Sequence, residues 1–243
     1  MINDETPALL GRSLYMPTTF SVGFLECKPD VFVDAYVNWR SRHGYNPRVR
    51  QVDSIESGIR TLDPLSTPPD RFLIAGTLSR WSAYLDNGVN GSDPFSPIGH
   101  LAQVIQCQGV LLTCSPHIVI GGKVTSYYAV KFEIYGPQKT EWLNLVRGIC
   151  VYNDGGPWKF YEKGKQMEFE DPSQYDKFNL MERFTPETMN TYCNSLGIYP
   201  FKPEFYGPKC WVIDITAPAD RVTARKSMTR AEARQRFGLD AAP

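Results

Sequence analysis

Apolar and polar residues follow two rhythms along this chain, and the places where the rhythm changes mark its elements. Residues 18–27, TTFSVGFLEC, are β-branched and aromatic and predict a strand. After Lys28-Pro29-Asp30 the stripe at positions 32, 35, 36, 39 and 43 has helical spacing and stops at Gly44, a C-cap residue. Residues 47–69 predict extended segments broken by DPLSTPPD, a surface connector. RFLIAGTLSRWSAYLD then supplies one or two strands, and SPIGHLAQVIQC a helix with Ser96 as N-cap and Pro97 at its first position. The apolar face of that helix is Ile98, Leu101, Ala102 and Ile105.

Strand rhythm returns in GVLLTC and SYYAVKFEIYG. LVRGICVYNDGGPWKFYEKGKQMEF follows as a meander, turning at Asp154-Gly155-Gly156 and at Lys163-Gly164. Thr185-Pro186-Glu187 opens a third helix with stripe Met189, Tyr192, Cys193 and Leu196, closed by Gly197. CWVIDIT, residues 210–216, is the final predicted strand. Thr229-Arg230-Ala231-Glu232 is a capping box, so MTRAEARQRFG predicts a short helix with little to bury beyond Phe237. Strand-helix-strand occurs near 18–60 and again near 72–114, without a convincing repeat. The expected fold class is α+β: one mixed or mostly antiparallel sheet with about three packed helices and a short C-terminal helix. Residues 1–217 form a single domain in this reading, and 218–243 a basic tail.

Composition supports a folded core: 243 residues, 42% of them apolar and 13% aromatic. Lys plus Arg equals Asp plus Glu at 26 each, so no broad field draws a polyanion or an anionic membrane. The tail from Pro218 carries six basic residues (Arg221, Arg225, Lys226, Arg230, Arg234, Arg236) against Asp220, Glu232 and Asp240, which leaves residues 1–217 at −3. Alternating acids and the lack of aromatics interleaved with the basic residues of that tail disfavour nucleic acid as a partner. MINDETPALLGRS has acids where a signal peptide has basic residues, and no apolar run nears the roughly 18 residues of a membrane span. A cytoplasmic protein without membrane attachment is expected. The six cysteines are too sparse for a disulfide scaffold and none forms a C-x-x-C pair; most of them read as buried cytosolic thiols.

WSAYLDNGVNGSDPFSPIGHLAQ, residues 81–103, has the mixture a ligand loop needs. Laid on a calcium loop from Asp86, it fails at position 3, which is Gly88, and at position 12, which is Pro97 instead of a bidentate Glu. It lacks the phosphate signatures GK[ST] and G-x-G-x-x-G, and Asp86 and Asp93 would repel an anion. His100 and Cys107 are seven residues apart on one helix, roughly 10 Å, too far for a nucleophile–base contact. Three histidines with no H-x-E or H-E-x-x-H spacing predict no zinc site, and no cofactor motif is present. TCSPH offers the best catalytic pair: Cys114 ending a strand, His117 on the following loop, and Asp86 as a possible orienter, the set for a small hydrolase or transferase.

Trp81, Tyr84, Tyr127, Tyr128, Trp158 and Tyr161 stand in polar company, as interface anchors do, although core placement is the commoner fate of such residues. The acidic run Glu168, Glu170 and Asp171 could meet a basic partner or simply face water. Residues 81–103 together with QCQGVLLTCSPH, FEIYGP, VYNDGGPWKF and ERFTPETMNTYCNSLGI resemble a family of uncharacterised bacterial hypothetical proteins of similar length, over roughly residues 20–215. In size and α+β make-up the chain is also similar to the immunity proteins that bacteria pair with secreted toxins, a resemblance of type with no diagnostic motif. That second resemblance implies a protein that binds a cognate toxin or effector domain and blocks its active site. Trp81, Tyr84, Asp86, Asn87, Asn90 and Asp93 are then the expected partner-binding face.

Overall fold

The computed structural model of the protein describes residues 6–218 and 225–240; Asp4, Glu5, Asp220 and Arg221, which entered the charge reading above, lie outside them. In chain order the first half comprises β1 (Ser21–Leu25), α1 (Pro29–Arg42), β2 (Asn46–Val52), α2 (Ile55–Thr61), β3 (Leu65–Thr67), β4 (Arg71–Thr77), β5 (Ser82–Asp86) and α3 (Phe95–Ile105). The second half comprises β6 (Gly109–Ser115), β7 (Ile118–Ile120), β8 (Lys123–Ser126), β9 (Ala129–Tyr135), β10 (Leu145–Tyr152), β11 (Lys159–Gly164), α4 (Pro186–Ser195), β12 (Tyr206–Thr216), β13 (Lys226–Met228) and α5 (Arg230–Phe237). Nine strands form one sheet in the order β11-β10-β9-β6-β1-β5-β4-β12-β2, and every pairing in it is antiparallel. The fold is α+β, as the pattern predicts.

Helices cover both faces of this sheet, which is why the central strands are apolar on both sides; β5 is buried at every residue. On one face α2 and α4 bring Ile59, Met189 and Tyr192 onto Phe24, Leu85 and Val110. On the other, α1 and α3 bring Phe32, Tyr36, Ile98 and Leu101 onto Ile74 and Tyr84. Glycines set how closely α3 sits. A Cβ on Gly23 of β1 would collide with Ile98, and one on Gly109 of β6 would come within 2.7 Å of the same side chain. Ile98 thus fills a notch that only two bare backbones leave open.

Three local expectations need correction. The connector 47–69 contains α2, capped by Ser54, whose hydroxyl accepts from Ser57 N at 3.1 Å, and DPLSTPPD includes β3. Helix α3 begins one residue before Ser96, with Pro94 in the cap position and no side-chain cap of the usual kind. Asp93 Oδ1 instead accepts from Phe95 N at 3.3 Å, so an acid just upstream serves the first turn. The turn at Gly164 ends β11 but returns no strand, because the Gly164 carbonyl is turned inward to accept from the Arg147 guanidinium at 3.2 Å.

The tail residues pack on the body. β13 pairs with β3, Arg230 Nη2 donates to the Ile59 carbonyl at the end of α2 at 2.5 Å, and Arg234 Nη1 donates to the Ser13 carbonyl at 2.7 Å. Leu239 and the partly buried Phe237 pack with Met16 and Phe20, and Ala233 is buried with Leu65 and Val89, more apolar cover than the sequence suggested. No helix among the described residues is long and apolar enough to cross a membrane.

Candidate functional site

The expected partner-binding face turns inward. Trp81, Tyr84, Asp86 and Asn87 are buried, and only Asn90 and Asp93 reach the surface, Asn90 with its side-chain oxygen taken by Arg236 at 3.2 Å. Trp81 belongs to the core under α4 and donates its indole N–H to the Leu196 carbonyl at 2.9 Å. Asn87 uses both ends of its amide: Oδ1 accepts from Asp70 N and Arg71 N, and Nδ2 donates to the Pro64 carbonyl and to Asp70 Oδ1. Asp86 accepts from Gly88 N at 2.9 Å and Asp93 N at 3.0 Å, which closes the 86–93 turn. Burial pushes its carboxyl up to about 6 in spite of those donors. Asp and Asn here organise backbone.

Cys114, His117 and Asp86 are not brought together. Cys114, 4% exposed, lies in the core on the α2–α4 side and directs its thiol to the Pro7 carbonyl at 3.6 Å. Burial pushes that thiol up to about 12, the reverse of what a nucleophile needs. His117 is exposed and lies tilted against Trp158, with 6.2 Å between ring centroids, while Asp86 bonds Tyr84 in the core beneath α1 and α3, on the other face of the sheet. The acidic run is partly interior as well. The Glu170 carboxylate is fully buried and accepts from Arg147 Nε at 2.8 Å and Nη2 at 2.6 Å, and from the Tyr175 hydroxyl at 2.8 Å.

The surface that stands out lies over α1, α3 and the β9–β10 connection. Trp39 and His43 at the end of α1 face His100 on α3, with ring centroids of Trp39 and His100 4.9 Å apart. The His43 ring bonds the Trp39 carbonyl at 2.9 Å, and burial followed by the charge of His43 lowers the pKa of His100. Two adjoining hollows share these three rings. One of about 370 Å³ is walled by Phe95, Tyr135, Leu143 and Asn144, and the other, about 500 Å³, runs along α1 and α3 between Val31, Ala35 and Val104. Asn144 ties the hairpin side to the helix side, donating to the Gly99 carbonyl at 2.9 Å and to the Gly136 carbonyl at 2.8 Å.

Large apolar side chains are left exposed along this trough: Val31, Val104, Phe95, Trp142 and Leu143. Leu143, 70% exposed, does so from a left-handed backbone (φ 59°). A bulky residue in that conformation is costly and is kept where surrounding structure enforces it. Trp142, beside it, holds the Lys163 ammonium 3.0 Å from its ring centroid. Sequence reasoning had Trp39 in a core stripe and passed over Trp142, since rings distant in sequence gave no local signal of a shared surface. Comparisons with known protein families, with curated proteins and with solved structures found no match.

Proposed function

We propose that the protein is a binding protein of the immunity type, and that it holds its partner in the aromatic trough between α1 and α3. The observation carrying this reading is the set of five exposed apolar residues, Val31, Val104, Phe95, Trp142 and Leu143, bordering the two adjoining hollows and a third that shares Phe95 and Leu143 with the first. Exposed apolar side chains gathered in one place mark interaction sites more often than scattered ones do. The trough is long and open and follows two helices, a shape that suits an apolar ridge of another polypeptide, such as one face of an amphipathic helix. Trp39, Phe95 and Tyr135 supply rigid aromatic anchors, and the two histidines, Gln103 and Asn144 supply polar orientation. A toxin or effector domain as that partner follows from the resemblance of type, and the blocking action from the trough gripping a ridge beside the partner's active site and covering it.

The test uses the full chain as bait in a lysate of the cells it comes from. A Phe95→Glu, Val104→Glu variant puts two charges in the trough, and Phe178→Glu, at a fully exposed side chain away from it, is the control. One stoichiometric partner captured by wild type and by the control, and reduced at least tenfold with the trough variant, is the expected outcome. Equal capture by all three proteins would remove the trough from the binding face.

A further inference from the structure

Two of the six cysteines differ from the rest. Cys27 follows β1 and precedes α1, and Cys107 follows α3 and precedes β6. β1 and β6 are antiparallel neighbours with Leu25 opposite Gly109, and beyond the last registered pair Glu26 N donates to the Gln108 carbonyl at 2.9 Å. Cys27 and Cys107 are the next residues beyond that bond on their two chains, so the bond between Glu26 and Gln108 brings their backbones alongside each other. Both chain segments are fixed there. Ser82 donates its hydroxyl to the Cys27 carbonyl at 2.7 Å, and Cys107 N donates to the Ala102 carbonyl at 3.0 Å as α3 closes through the left-handed Gln106. Both thiols are half-buried against the α1–α3 core.

The neighbouring Cys27 thiol lowers the pKa of Cys107, whereas Cys107, then burial, raises that of Cys27. Elsewhere burial pushes Cys114, Cys150 and Cys210 up to about 12 and raises Cys193 as well. Cys107 is therefore the thiol suited to attack.

We propose that Cys27 and Cys107 are a redox-active thiol pair that closes to a disulfide in exchange with low-molecular-weight disulfides of the glutathione class. The Cys107 thiolate attacks one sulfur of the oxidised small disulfide, forming a mixed disulfide and expelling one small thiolate. Cys27 then loses its proton and attacks Cys107 Sγ, forming the Cys27–Cys107 bond and expelling the second thiolate. Two protein thiols are oxidised and one small disulfide is reduced to two thiols. The bond would join the start of α1 to the end of α3, clamping the two helices that wall the trough. The proposal rests on the thiols alone and stands whether or not the trough holds a partner.

The test equilibrates the native full chain with glutathione mixtures of increasing oxidised fraction, quenches with acid, alkylates free thiols and maps peptides by mass spectrometry. The expected result is loss of two thiols, a linked Cys27–Cys107 peptide and full reversal by dithiothreitol. Cys27→Ser should trap glutathione on Cys107, an adduct that wild type does not accumulate, and Cys107→Ser should leave Cys27 at least tenfold slower to modify. Six free thiols in fully oxidised glutathione, or a linkage through any other cysteine, would overturn the proposal. Circular dichroism of each variant confirms the fold, so a lost reaction is not mistaken for unfolding.

Discussion

Asp86 shows how a residue type chosen for ligands can serve the interior instead. Its carboxyl is held at about 6 against an ordinary 3.8, so the folded chain binds that proton more tightly than the unfolded chain does. Its stabilising contribution is complete below pH 3.8 and is lost as the pH rises through 6. Asp86→Asn removes this dependence. The stability advantage of wild type over the variant should therefore shrink by about 2 kcal/mol between pH 4 and pH 7, read by urea denaturation at the two pH values. A difference that does not change with pH would place the proton elsewhere. In sequence, Asp86, Asn87 and the glycines around them carried the signal of a binding loop, because ligand loops and tight internal turns draw on the same residues. Nothing in the string told that the Asn87 side chain would spend all its hydrogen bonds on Pro64, Asp70 and Arg71, since those partners lie 16 to 23 residues away.

Elements were legible in proportion to their length. The 14-residue α1, the 11-residue α3 and the 10-residue α4 each repeat an apolar stripe often enough to be read, whereas the seven-residue α2 buries Ile55 and Ile59 from a segment whose prolines and polar residues look like connector. The strands of the nine-stranded sheet were read well, the short β3, β7, β8 and β13 were not, and strand order was not either, because β12 pairs with β2 and β4 across most of the chain. How closely two elements approach is likewise a property of pairs. Gly23→Ala should show this, because its new methyl group meets Ile98 and has to lift α3 or displace the side chain. A loss of about 1–3 kcal/mol is expected in chemical denaturation, with part of it restored by adding Ile98→Val. Unchanged stability would mean that α3 is not seated by the notch. The trough inherits that seating, since Phe95, His100 and Val104 all ride on α3.

On the scale of the whole molecule, the segment read as a separate tail contributes cover and caps. A chain ending at Ala217 uncovers Met16, Phe20, Leu65 and Val89, which residues 225–240 shield, and removes Arg230 from the end of α2. Lower Tm and increased binding of an apolar dye are the expected results; an unchanged Tm would show that the docked segment adds nothing to stability. The place of β12 has a further consequence, one of timing. Strand β2 is made early, yet it joins the sheet only through β12, with Arg50 meeting Asp214 across 164 residues. A chain leaving the ribosome from its N-terminus must carry β2 unpaired, and β4 open along one edge, until β12 emerges. Those two bare edges are where a half-made chain would meet its neighbours, and chaperone contact during synthesis should concentrate there.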